Sequence, residues 1–134
     1  MNYKVIDLHA FEDSRGSLVA LEKGQNCPFE VRRCFYIFDL KDSEVIRGAH
    51  ANRRSEFLFV VVSGSCKVKI DSGKEQTEVT LSSPKQALYL DKMIWKEMYD
   101  FSEGAVLMVL SNLVYDETEY IRDYDEYINE VRGN

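Results

Sequence analysis

The feature that most constrains this chain is the run Phe57–Val62, in which Phe, Leu, Phe, Val, Val and Val follow one another without a polar residue. β-Branched and aromatic side chains favour a pleated strand. A strand exposed on one face alternates apolar with polar residues, so a strand without alternation must be covered on both faces. The run therefore predicts an interior strand of a sandwich or barrel. The segment leading into it, Ile46–Glu56, is its opposite in character: it holds Arg47, Gly48, His50, Asn52, Arg53, Arg54 and Glu56. Polar groups that lead directly into a buried strand are costly unless they are used.

Short β-type runs continue on either side, with turn signals between them. Lys4–His9 is a first strand, Asp13–Gly16 a turn, and Ser17–Glu22 a second strand. Gly24–Pro28 is a loop, and Val31–Leu40 is a strand rich in aromatics. After Ser63-Gly64 turns the chain, Cys66–Asp71 sets Val68 and Ile70 against Lys67 and Lys69, and Asp71–Lys74 has hairpin-turn composition. Thr77–Leu81, Gln86–Leu90, Trp95–Phe101 and Ala105–Leu110 complete the series. Strands recurring about every 8–12 residues are the mark of a sandwich or barrel. The tail changes period: Tyr120, Ile121, Tyr124, Tyr127, Ile128 and Val131 fall at helical spacing, behind a capping-box-like Asp116 and Glu119. This predicts one amphipathic C-terminal helix over about 117–131, lying on the outside of the β-domain or on a partner subunit.

With 134 residues, no linker and no repeat, the chain reads as a single domain, 1–134. A net charge of −6 argues against a nucleic-acid binder, which needs a basic face. Local cations on an acidic protein suit a small anionic ligand instead. The N-terminus lacks an apolar signal region, and no apolar run approaches about 18 residues, so the expected compartment is the cytoplasm, with no membrane partner. Cys27, Cys34 and Cys66 are odd in number and unpaired in spacing, and read as small hydrophobes in a reducing environment.

Within Ile46–Glu56, His50 and Asn52 are two apart and share a face if the segment is a strand. An imidazole titrates near neutrality and is the common general acid or base, although a single histidine is also often structural. Arg47 offers a fork for phosphate or carboxylate, and Gly48 allows close approach of backbone or ligand. Arg15-Gly16 repeats the pairing. The spacing from His50 through Asn52 to Glu56 matches the first motif of a metal cupin, but Asn52 stands where a second histidine would bind. No histidine follows His50, so a full metal shell is not expected. Nucleophile elbows, phosphate loops and dinucleotide fingerprints do not occur. Trp95 either stacks on a base or sugar or belongs to the core. Lys96 is either an acid or anion partner or simply exposed.

Taken together, Asp13–Leu18, Pro28-Phe29 with Arg33, Arg47-Gly48-Ala49-His50-Ala51, Gly64-Ser65, Trp95–Met98 and Tyr115–Arg122 resemble the sugar 3,4-ketoisomerases, small WxcM-like cupins acting on dTDP-4-keto-6-deoxyglucose. The resemblance runs essentially end to end. The Arg-Gly-x-His segment is also similar to that of the dTDP-sugar 3,5-epimerases. The resemblance implies an all-β cupin, a double-stranded β-helix or jelly-roll barrel, with one C-terminal helix. It implies a metal-independent isomerase without a cofactor, a homodimer whose N-terminal segments complete the neighbour's site, and a product feeding deoxyamino sugars of lipopolysaccharide O-antigen and other surface glycans. His50 would be the base. Arg15 and Arg47 would hold the diphosphate or sugar, with Arg33, Asn52, Trp95 and Lys96 completing the binding set.

This chain departs from the family at three places. Asn52 replaces the usual second histidine, Phe35 replaces one of two adjacent tyrosines, and Lys96 stands where histidine or arginine is typical. If the second histidine ordinarily moves a proton, Tyr36, water or solvent held by Asn52 must substitute. A nucleotide-sugar epimerase and a non-catalytic nucleotide-sugar-binding cupin are the alternative readings.

Overall fold

The computed structural model describes residues 1–42 and 44–133. Two five-stranded antiparallel sheets face one another. The first has the order β1 (Tyr3–Asp7), β9 (Gln86–Leu90), β6 (Phe57–Ser63), β11 (Val106–Ser111), β4 (Arg33–Ile37). The second has the order β12 (Tyr120–Ile121), β5 (Arg47–Asn52), β10 (Trp95–Tyr99), β7 (Cys66–Asp71), β8 (Gln76–Leu81). A separate hairpin joins β2 (Phe11–Asp13) to β3 (Gly16–Leu18). This is the all-β cupin architecture implied by the resemblance.

The apolar run of β6 is covered on both faces. Phe57, Phe59 and Val61 enter the core between the sheets with Val68, Ile70, Leu88 and Leu107. Leu58 and Val60 face outward but are covered by Leu8, Cys27 and Phe29 from the N-terminal segment. That second layer explains why no polar alternation survives in the run.

A third cluster lies on the outer face of the second sheet, where Trp95 and Ala51 pack against Ile121 and Tyr127. Tyr127 is the anchor: its hydroxyl sits between the carbonyl oxygens of Asp71 (2.9 Å) and Met93 (2.8 Å), which share its single proton. The helix it belongs to, α1, spans Tyr124–Val131 and is shorter than the expected 117–131. Asp116 caps only a 3-10 turn, Glu117–Glu119, and Tyr120 and Ile121 then pair with Asn52 and Ala51 as strand β12. The helical spacing of Tyr120 and Ile121 is thus overridden by strand pairing, and α1 begins at a new N-cap, Asp123, which accepts from the Asp125 amide.

One irregularity matters for the site. In the β5–β10 register Lys96 faces His50 and Glu97 faces Gly48, so Ala49 is an extra, bulged residue. Gly48 and Ala49 both have positive φ, +82° and +58°. A Cβ on Gly48 would lie 3.0 Å from the Lys96 carbonyl oxygen and 3.0 Å from Met98 Sδ, so the close approach requires glycine.

Candidate active site

The bulge ends where the two sheets open into a pocket of about 170 Å³. β4 contributes Arg33, Phe35 and Ile37, β5 contributes Arg47 and His50, and β6 contributes Phe57 and Phe59. Lys96 and Met98 come from β10, and the tail closes the rim with Tyr115, Tyr120 and Arg122. Among the described residues four cationic side chains and no carboxylate line this pocket, in a chain of net charge −6. An anionic ligand is the complement of such a lining. A larger, open hollow of about 1070 Å³ lies under the β2–β3 hairpin, beside His9, Glu12, Arg15 and Lys85. It is shallow and solvent-facing, and its shifted carboxylates are exposed, whereas the smaller pocket holds buried groups with large shifts.

His50 sits against the Tyr120 ring, with centroids 4.8 Å apart. Its Nδ1 is buried without a hydrogen-bond partner. Burial, then the charge of Lys96, then those of Arg122 and Arg33 push the imidazole down to about 3; the Gly48 carbonyl opposes this without meeting hydrogen-bond geometry. His50 is therefore neutral at ordinary pH, the state in which an imidazole accepts a proton.

Lys96 is almost wholly buried, at 2% exposure. Its Nζ donates to Asn52 Oδ1 (3.1 Å) and sits 4.4 Å from the centre of the Phe57 ring. Burial pulls it down to about 7, and the charge of Glu119 opposes the fall. A neutral base and a near-neutral acid thus share one pocket wall, both lowered from their usual values, chiefly by burial.

Arg33 and Arg47 line the pocket as the sequence suggests. Arg33 is fixed by a bond to the Tyr120 hydroxyl (3.0 Å), with its guanidinium over Phe35 and Tyr115. Four other candidates do not line this pocket. Asn52 has 0% exposure and lies beneath Lys96, so it meets the lysine rather than a ligand. Trp95 packs on Tyr124 and Tyr127 and donates its indole N–H to Glu97 (2.9 Å), because adjacent strand residues face opposite ways and Lys96 takes the pocket side. Tyr36 is 64% exposed and stacks on Phe38, since Phe35 and Ile37 hold the inward positions of β4. Arg15 is paired with Asp13 (2.7 Å) on the exposed hairpin, away from the pocket of its own chain.

Tyr120 and Arg122 are pocket residues that the helical reading of the tail absorbed, and Tyr115, just before that span, also lines the pocket. The available signal was the alternation of Tyr120 with Arg122, which puts both on one face of an extended segment. Glu56, third in the metal-cupin spacing, is turned away, accepting from the Tyr89 hydroxyl (2.5 Å) and Asn112 Nδ2 (3.1 Å). Among the described residues no three His, Cys, Asp or Glu side chains gather as metal ligands.

A family model described as "FdtA: WxcM-like, C-terminal" matches residues 1–132. The chain is 48% identical over 127 residues, 95% of its length and 91% of the relative's, to the TDP-4-oxo-6-deoxy-alpha-D-glucose-3,4-oxoisomerase of Aneurinibacillus thermoaerophilus. The crystal structure of a 3,4-ketoisomerase from Helicobacter canadensis superposes with a TM-score of 0.95 at 42% identity, covering 98% of both chains. A sugar 3,4-ketoisomerase from Thermoanaerobacterium thermosaccharolyticum, solved in complex with TDP, gives 0.94 at 35% identity, covering 98% of this chain and 95% of that one.

Proposed function

This chain belongs to the FdtA family, WxcM-like, C-terminal, and is a sugar-nucleotide 3,4-ketoisomerase; from that premise we propose that its substrate is TDP-4-keto-6-deoxyglucose, that His50 is the base, and that the product is the 3-keto isomer. The observation that carries the assignment of roles is the neutral His50 imidazole beside a buried lysine in a cation-lined pocket.

The C4 ketone acidifies the proton on C3. His50 takes that proton, the C3–H electron pair becomes the C3=C4 bond, and the former carbonyl oxygen gains negative charge. The Lys96 ammonium steadies that charge, which develops only as the reaction proceeds. In the second half the C3 hydroxyl loses its proton, the C3 carbonyl forms, and the imidazolium returns its proton to C4. The proton lost by the C3 hydroxyl passes to the C4 oxygen, which becomes a hydroxyl, so atoms and electrons balance without an added oxidant or reductant. His50 carries both carbon protons in this scheme, since Asn52 lies under Lys96 and Tyr36 faces outward. Arg33, Arg47 and Arg122 hold the diphosphate and so position the sugar over His50.

The same reading includes a homodimer in the cytoplasm. Exposed Phe11 and Leu18 on the β2–β3 hairpin suit burial against a second copy, and that contact would carry Arg15 toward the partner's pocket. Sedimentation velocity tests it: a monomer at micromolar concentration would remove this part of the proposal.

Proton NMR of TDP-4-keto-6-deoxyglucose with the protein in D2O tests the reaction. Deuterium entering as a 3-keto product accumulates supports it. Exchange confined to C5 would mean an epimerase, and binding without exchange would mean a binding module.

A further inference from the structure

Lys96 is an odd group to bury at a pocket wall. An ammonium has three donors, yet its one hydrogen-bond partner among the described residues is the Asn52 amide oxygen. No carboxylate comes within ion-pair distance of it among the described residues. The charged and titratable groups around it are His50 and Arg47 on β5, Arg33 on β4, Tyr115, Tyr120 and Arg122 in the tail and Glu119 on the 3-10 turn. Glu119 is the one anion in that set. It does not line the pocket and is 3% exposed.

Glu119 is built to stay ionised. Its Oε1 accepts from the backbone N–H groups of Arg54 (2.9 Å) and Ser55 (2.8 Å), and its Oε2 accepts from the Ser55 hydroxyl. Burial raises its carboxyl, but these donors outweigh burial and leave it below the usual glutamate range. Asn52 stands between the two charges. Its Oδ1 faces the ammonium, and its Nδ2, fully buried and without a completed hydrogen bond, is the end left to face the carboxylate. An amide oriented this way has its negative end on the cation and its positive end toward the anion.

We propose that Glu119 is a positioning residue for the isomerisation, acting through Asn52 to keep Lys96 charged and aimed into the pocket beside His50. It touches neither the substrate nor the lysine. This rests on the reading of Lys96 given above for its use in catalysis, but the charge coupling itself does not. The two remaining donors of Lys96 are left for the substrate's oxygen. Asn52, where the related enzymes commonly carry histidine, then serves as the link that lets a lysine work at this position.

The direct test is a titration of the Lys96 side chain by 13Cε NMR in the otherwise native protein, with Lys96→Met used to assign the signal. Glu119→Gln keeps shape and one acceptor oxygen but removes the charge, and Asn52→Leu keeps the branched shape but removes the amide. Each is expected to lower the lysine's midpoint by about one pH unit, a tenfold loss of proton affinity. Wild-type midpoints in both folded variants overturn the proposal. Should Glu119→Gln not fold, an unchanged midpoint in Asn52→Leu does the same. Turnover is read separately: in Glu119→Gln the alkaline limb of kcat should move down with the lysine midpoint, whereas simple loosening of the fold would lower kcat without moving it. A lysine that titrates as proposed while Lys96→Met turns over like wild type would uphold the coupling and sink the catalytic role of Lys96.

Discussion

His50 and Lys96 are cross-strand partners, one on β5 and one on β10, and both line the same pocket wall. The register that pairs them depends on the Ala49 bulge one residue away. Burial lowers both groups and the Lys96 charge lowers His50 further, so the pair rests as a neutral imidazole and an ammonium poised near neutrality. This is the division of labour an enediol reaction needs: one group to accept a carbon proton and one to meet the oxygen charge.

Replacing His50 with alanine should lower C3 exchange by about a hundredfold to ten-thousandfold, the usual worth of a general base. The fold should survive, because Nδ1 makes no hydrogen bond that the change would break. The imidazole's folded value, about 3, lies below its unfolded value of 6.5, so its share of stability is complete above 6.5 and is lost as pH falls from 6.5 toward 3. Urea titrations across that window should therefore be flatter in the variant. Wild-type exchange in D2O would remove His50 as the base.

Lys96→Met should reverse the common link between stability and activity. The lysine's folded value, about 7, lies below its unfolded 10.5, so the unfolded state binds the extra proton between them. Stability from this group consequently rises as pH increases from about 7 to 10.5, and the burden is largest below 7. Methionine lifts that burden but leaves Asn52 Oδ1 unpaired, for a net gain of about 1–3 kcal/mol at neutral pH. A higher Tm with strongly reduced kcat is the expected outcome. A lower Tm would show that the ammonium stabilises the fold.

Gly48→Ala should damage both properties together. The added Cβ meets the Lys96 carbonyl and Met98 Sδ in a backbone with φ of +82°, at a cost of about 1–3 kcal/mol. Because Gly48 lies two residues before His50, relief of the clash would shift the base. Chemical denaturation and kcat measured on one sample check this, and an undisturbed kcat would mean the bulge can deform without moving the imidazole.

Trp95→Phe separates packing from recognition. The indole belongs to the α1 contact and donates to Glu97, so the change should cost about 1–3 kcal/mol. KM for the nucleotide sugar should not move. A raised KM with unchanged Tm would put Trp95 back among the ligand contacts.

Much of the barrel was legible without coordinates, because strand identity is local. The unbroken apolar run of β6, the alternation of Val68 and Ile70 with lysines, and the glycine turns each depend on neighbours within a few residues. Arg47, Gly48 and His50 were readable as a site for the same reason. The side of a strand that faces the pocket was harder. Phe35 rather than Tyr36 points inward because of the pairing of β4 with β11, and Trp95 yields the pocket to Lys96 because α1 covers the other face. The tail misled the eye most, since Tyr120 and Ile121 have helical spacing but gain more by pairing with Asn52 and Ala51. Local residue pattern alone determined the strands, the turns and the histidine; the tertiary structure decided which groups the histidine meets, because burial and charge around a side chain come from residues distant in sequence, such as Glu119 and Lys96.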